Sequence, residues 1–84
     1  MTFPTEPVTL NVEQIAELNQ KLSTLRHDVN NHLMLIISAV EVIRLKPESA
    51  DRWLTMMGEQ PQKIGAAITQ FSRDLEGVLR ITRP

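Results

Sequence analysis

Cysteine is absent from this chain, so neither a disulfide framework nor a thiolate metal site is open to it. That is consistent with a reducing compartment, and the cytoplasm is the expected location. Tyrosine is absent as well, and two Phe, one Trp and three Gly among 84 residues leave few large side chains for a core. One such unit standing alone would be marginal. No excess of positive charge exists: the formal net charge is -1, which removes the basic footprint of a nucleic-acid binder. Long hydrophobic runs are missing too. The longest, Leu33 to Ile37, is followed by Ser38 and soon by Glu41, far short of the roughly 20 apolar residues of a membrane helix. No membrane contact is expected. Residues 1–10 hold Pro4, Glu6 and Pro7 and no apolar run, so they read as a flexible lead-in and not as a secretory signal.

What is present is helical periodicity. Asn11 and Gln14 form a capping-box pattern that starts a first helix. From there Ile15, Leu18, Leu22, Leu25, Val29, His32, Ile36, Ala39 and Ile43 keep an alternating three-four spacing, the a/d seam of a heptad pattern. The spacing predicts one helix from residue 12 to about 45. Pro47 then breaks the pattern, within Lys46-Pro47-Glu48-Ser49. A second helix, about 50–80, carries Leu54, Met57, Pro61, Ile64, Ile68, Phe71, Leu75 and Val78 at the same spacing, with a kink expected near Gly58 and Pro61. Two matched helices and a short loop predict an antiparallel hairpin spanning 11–84. One hairpin leaves half of each stripe uncovered, and Leu33, Leu35, Val40 and Val42 widen the stripe as a four-helix core requires. The expected architecture is therefore all-α, a two-helix hairpin that dimerises into a four-helix bundle, with a homodimeric partner.

The chemistry-bearing stretch is Leu25-Arg26-His27-Asp28-Val29-Asn30-Asn31-His32-Leu33. His27 falls at position f of the heptad, farthest from the seam, and Asn31 lies four residues on, along the same side of the helix. An exposed imidazole titrates near neutrality and so offers a lone pair for attack on phosphorus or for a metal ion. His27 and His32 are five apart and no cysteine accompanies them, so they cannot clamp one metal within a single chain, and no metal site is expected. Asp28, the immediate neighbour, is the candidate base or orienter for His27. A surface His-Asp pair taken alone is common on exposed helices and carries no function by itself.

The whole nine-residue stretch resembles the H-box of sensor histidine kinases, in the variant where the phosphoacceptor His is followed by Asp and, after two more residues, by Asn. The matching domain is the dimerisation and histidine-phosphotransfer domain, a helical hairpin that dimerises into a four-helix bundle. The resemblance covers about 14–79. It implies that His27 accepts a phosphoryl group and passes it to the receiver aspartate of a response regulator. It also implies that Asp28 acts as base and that Asn31 positions a phosphoryl group or a hydrolytic water, with a phosphatase role open. Met34, Ile37 and Ser38, beyond the histidine toward the loop, would meet the receiver domain. His32 departs from the commoner box, which has proline there. At a seam position it reads as a partly buried histidine, its expected partner being Asp28 four residues back, and it removes the usual bend after the box.

ATP and Mg would be bound in such kinases by a separate domain, in cis or trans. This chain has three glycines, none in a Gly-x-Gly cluster, so no cofactor is expected in it. Two lengths stay open, a piece of a longer kinase or a stand-alone phosphotransfer protein, and with them whether the chain is itself an enzyme. The alternative function, from another class, is a non-catalytic dimerisation or adaptor module with a vestigial box. Trp53, Met56 and Met57, early in the second helix, read as packing residues at the loop end.

Overall fold

The computed structural model describes residues 2–80; Met1 and residues 81–84, the end of the expected hairpin domain, lie outside the described residues. Helix α1 spans Val12–Leu45 and helix α2 spans Ala50–Leu79, joined through one 3-10 turn at Pro47–Ser49. The capping box forms in both directions: Gln14 N–H donates to Asn11 Oδ1 at 2.8 Å, and Asn11 N–H donates to Gln14 Oε1 at 2.9 Å. At the other end Lys46 N–H reaches back to the Val42 carbonyl at 2.7 Å, and the Ser49 hydroxyl and N–H both donate to the Lys46 carbonyl. Proline at the head of the 3-10 turn needs no N–H partner there, so the chain reverses with its polar groups satisfied. Helix α2 retains helical assignment through Gly58 and Pro61 without interruption. Pro61 sits on the exposed side, so its ring meets no neighbouring helix.

The two helices make a plate. Its extents are 59 × 29 × 11 Å, and the shortest is the diameter of a single helix, about 10–12 Å. The radius of gyration is 18.2 Å, against about 12 Å for a compact chain of this length. A plate one helix thick has no enclosed interior. Among the described residues only Ala39 and Gln60 are buried. No helix among them is long and apolar enough to cross a membrane.

Contact between the helices uses one flank of each expected seam. On α1 the covered residues include Leu18, Lys21, Leu25, Asp28, Val29, His32, Ile36, Ala39 and Ile43; on α2 they include Trp53, Gln60, Ile64, Ala67, Phe71 and Asp74. The register that joins His32 to Gln60 brings Ala39 level with Trp53 and Leu25 level with Ala67. Each small residue thus faces a large one, which lets the backbones approach without a void. Three of the eight expected α2 seam residues are turned elsewhere: Leu54, Pro61 and Ile68 are exposed, as are Ile15, Leu22 and Leu33 on α1. These six lie along one continuous side of the hairpin. The displacement has a physical cause. A stripe wider than one helix-helix contact must choose a flank, and the flank with Ala39 and Ala67 permits the closer approach.

At the open end, Lys21 pairs with Glu17 of its own helix at 3.2 Å and crosses to Asp74 of α2 at 3.7 Å. The hydrogen bond that Lys21 donates to the Glu17 carboxylate raises its ammonium above the ordinary lysine value, burial opposes the rise, and the nearby Asp74 and Glu17 charges add to it. The cross-helix pair is part-exposed and open to solvent screening, so it serves to fix register more than to add stability.

Ala39, on the face of α1 turned to α2, has no exposed surface. Ala39→Leu should therefore force them apart and lower unfolding free energy by about 1–3 kcal/mol, read as a reduced midpoint in denaturant with helicity retained.

Candidate functional site

His27 is on the exposed side of α1, and Asn31, one turn on, is its neighbour: Asn31 Nδ2–H donates to His27 Nε2 at 3.4 Å. That contact is longer than an ordinary N–H donor bond, so it is weak and easily displaced. With the Asn31 NH₂ turned to the ring, Nε2 is the nitrogen that accepts. A lone pair held only by a long contact is available to an incoming electrophile.

Asp28 does not bond His27. Consecutive residues on a helix are about 100° apart around its axis, so the carboxylate turns toward α2 while the imidazole turns to solvent. Asp28 is half-buried and lines two grooves at once. One, of about 240 Å³, lies between the helices below it with Leu25, Ala67 and Phe71 among its walls. The other, of about 510 Å³, is lined by Asp28, Asn31, His32, Met34, Leu35 and Ser38. This second cavity gathers two of the three expected catalytic residues and two of the three expected docking residues, and leaves His27 and Ile37 outside it. Met34 and Ile37 are 57% and 54% exposed, large apolar side chains directed at solvent beyond the histidine. Ser38 is exposed beside them.

His32 is half-buried at its seam position, and its partner differs from the expected one. Its Nδ1 lies 2.7 Å from Gln60 Oε1, across the hairpin, and not against Asp28. Gln60 is 1% exposed. Its amide NH₂ donates to the Met56 carbonyl at 3.0 Å and grazes Met56 Sδ at 3.4 Å. A backbone carbonyl can only accept, so the NH₂ end of Gln60 must face Met56 and the oxygen must face His32. The reason Asp28 loses this competition is desolvation. A buried amide must satisfy both ends, whereas Asp28 keeps access to water in the cavity. No buried polar side-chain atom among the described residues lacks a partner.

Gln60 is the site residue that the sequence hid. It precedes Pro61, stands off the expected seam, and looks like one of many exposed glutamines. The available signal was indirect: a histidine on a seam requires a polar partner, and Gln60 stands seven residues from both Trp53 and Ala67. Trp53, Met56 and Met57 are half-buried as expected of loop-end packing, with the Arg52 guanidinium 5.4 Å from the indole centroid. No three His, Cys, Asp or Glu side chains gather as a metal site among the described residues.

Compared with known proteins, the chain matches no family model, no curated protein and no solved structure.

The stability of the cross-hairpin bond can be measured directly. Gln60→Leu alone strands the His32 donor and should cost about 1–3 kcal/mol in denaturant unfolding. Adding His32→Leu should recover part of the loss, because replacing both partners leaves no polar atom unpaired.

Proposed function

We propose that this hairpin is a histidine phosphoacceptor module of a two-component signalling system, working as a cytoplasmic homodimer in which two hairpins form a four-helix bundle. The observation that carries the reading is the outward side of α1. His27 stands exposed there, its Nε2 held only by a long contact to an amide donor, Asn31, one turn on. In the transfer, a ring nitrogen of His27 attacks the phosphorus of a phosphodonor, and the bond from phosphorus to the donor's leaving oxygen breaks. A receiver aspartate oxygen then attacks the same phosphorus, the P–N bond breaks, and the imidazole is regenerated. Such transfers depend on position and charge more than on covalent chemistry. The Asn31 NH₂ is within reach of Nε2 and can donate to a phosphoryl oxygen once the phosphorus occupies that nitrogen. Asp28, turned inward, serves the cavity and not the ring of His27. ATP and Mg belong to a separate kinase domain, and the receiver domain docks over Met34, Ile37 and Ser38.

Dimerisation is supported by the uncovered side of the plate. Ile15, Leu22, Leu33, Leu54 and Ile68, each at least 37% exposed, line one side of an object one helix thick. A second copy laid there covers all of them and leaves His27 outward. The adaptor reading uses the same face but assigns the box no chemistry; the exposure of His27 together with its Asn31 contact favours the phosphoacceptor.

Light scattering at micromolar concentration should give twice the 9.6 kDa chain mass; a mass of one chain throughout would remove the bundle. Ile36→Asp or Phe71→Asp should dissociate or unfold it by placing an unpaired charge among half-buried apolar side chains.

Incubation with acetyl phosphate, or with receiver domains charged by it, should give an acid-labile phosphoryl group on His27 by mass mapping. His27→Gln should abolish it with helicity and mass retained. His32→Gln should keep the label and cost mainly stability, and Asn31→Ala should keep the label while slowing loss of phosphate from a receiver. A label on His32, or His27→Gln labelled like wild type, refutes the assignment.

A further inference from the structure

At the open end of the hairpin the chain before α1 lies against the end of α2. Val8 and Leu10 are half-buried, and Val8 and Thr9 wall an open cleft of about 410 Å³ that also takes in Gln14 of α1 and Arg73, Gly77 and Arg80 of α2. Polar groups make up most of its lining, unlike the two grooves beside Asp28. Its charge is unbalanced. Lys21 and Asp74 border it but are taken up: Lys21 pairs with Glu17 and Asp74, and Asp74 also accepts from the Gln70 amide at 3.2 Å. Arg73 and Arg80 make no ion pair among the described residues. Glu6 shares an adjoining groove with Arg80 and does not pair with it.

The end of α2 also reverses the usual placement of its residues. Helices commonly finish on a glycine in the left-handed region. Here that position is Arg80, at φ 59° and ψ 38°, where a Cβ is strained. The glycine stands three residues earlier, inside the last turn, where it weakens the helix. No neighbour requires it there: a Cβ on Gly77 would meet nothing within 4 Å, so the room it leaves is room in the cleft. Two local rules broken around one cleft point to a ligand, because such costs gather where something is bound. Gly77 is nine residues from Ile68, half a turn around α2 at about 100° per residue, so a second copy laid on the apolar stripe leaves the cleft open.

We infer that this cleft binds a small organic phosphate of the sugar-phosphate class, with Arg73 and Arg80 holding the phosphate. Planar guanidinium forks match phosphate oxygens two at a time. The positive end of α1 starts level with Arg80 in the register set by His32 and Gln60, and it offsets the negative end of α2. A cleft of this volume is in the range of small-molecule sites and larger than a bare phosphate fills. The Thr9 hydroxyl and the Gln14 NH₂ line the rest and can donate to sugar hydroxyls, since the capping box uses only the Gln14 Oε1. Among the described residues no aromatic side chain lines the cleft, so nothing there stacks on a base and a nucleotide gains nothing over the sugar phosphate. The inference stands apart from the phosphotransfer reading, and His27 takes no part in it.

Calorimetric titration of the full chain with ribose-5-phosphate should show saturable binding, about 10-fold or more tighter than inorganic phosphate. Ribose should be silent, and adenosine monophosphate should bind no tighter than ribose-5-phosphate. In the ¹⁵N-labelled chain, ribose-5-phosphate should shift the backbone amides of Thr9, Gln14, Gly77 and Arg80 and leave that of His27 in place. Arg73→Gln and Arg80→Gln should each weaken binding about 10-fold or more, and His27→Gln should bind as wild type does. Gly77→Leu separates a binding role from a structural one. It puts a good helix former where a side chain strikes no neighbour, so the unfolding midpoint should hold or rise while ribose-5-phosphate is shut out. No saturation up to about 10 mM, shifts confined to other residues, or wild-type binding by Gly77→Leu overturns the inference. Inorganic phosphate binding as tightly as ribose-5-phosphate, or adenosine monophosphate binding more tightly, overturns the sugar-phosphate assignment.

Discussion

One glutamine holds this hairpin in register. Gln60 is the largest buried side chain in a plate otherwise half open to water, and it reaches its own backbone through one end and α1 through the other. Apolar contacts between two long helices with regular stripes are nearly degenerate: sliding one helix by a turn or rotating it by a flank buries similar area. A buried amide that must satisfy a donor and an acceptor removes that degeneracy, because every other register strands it. Small residues at Ala39 and Ala67 and the Lys21 bridge to Asp74 agree with the same alignment, so the local preferences reinforce one another.

That alignment also arranges the reactive turn. With α1 pinned at His32, the residues before it are fixed in rotation: Asp28 toward α2, Asn31 at the rim of the cavity, His27 into solvent. A helix is rigid enough that fixing one side chain on one flank fixes its neighbours within a turn. Under the proposed function, the same bond that sets the fold therefore sets which histidine can meet a phosphodonor and which is anchored across the hairpin. The side of the plate still uncovered is apolar and separate from this chemistry, so assembly and transfer need not compete for surface.

Much of this was legible in the residues. Helix bounds of 12–45 and the loop at Pro47 agree with the structure, since a capping box and a proline act through backbone hydrogen bonds within a few residues of themselves. The outward position of His27 followed from periodicity alone, because the seam marks the opposite side. Sequence also correctly implied a stripe too wide for one hairpin. It misassigned the partner of His32, choosing Asp28 because that residue is one turn away, when the structure uses a residue 28 positions distant.

The difference between the two kinds of knowledge is one of range. Periodicity, capping and the order His27, Asp28, Asn31 are properties of a single helix, and a helix repeats its geometry faithfully enough that spacing in the chain becomes direction in space. Which flank of each stripe meets the other, which small residue faces which large one, and which nitrogen of His32 bears a proton are properties of a pair of helices. Those were decided only when packing drew Gln60 out of water and left its oxygen one donor within reach.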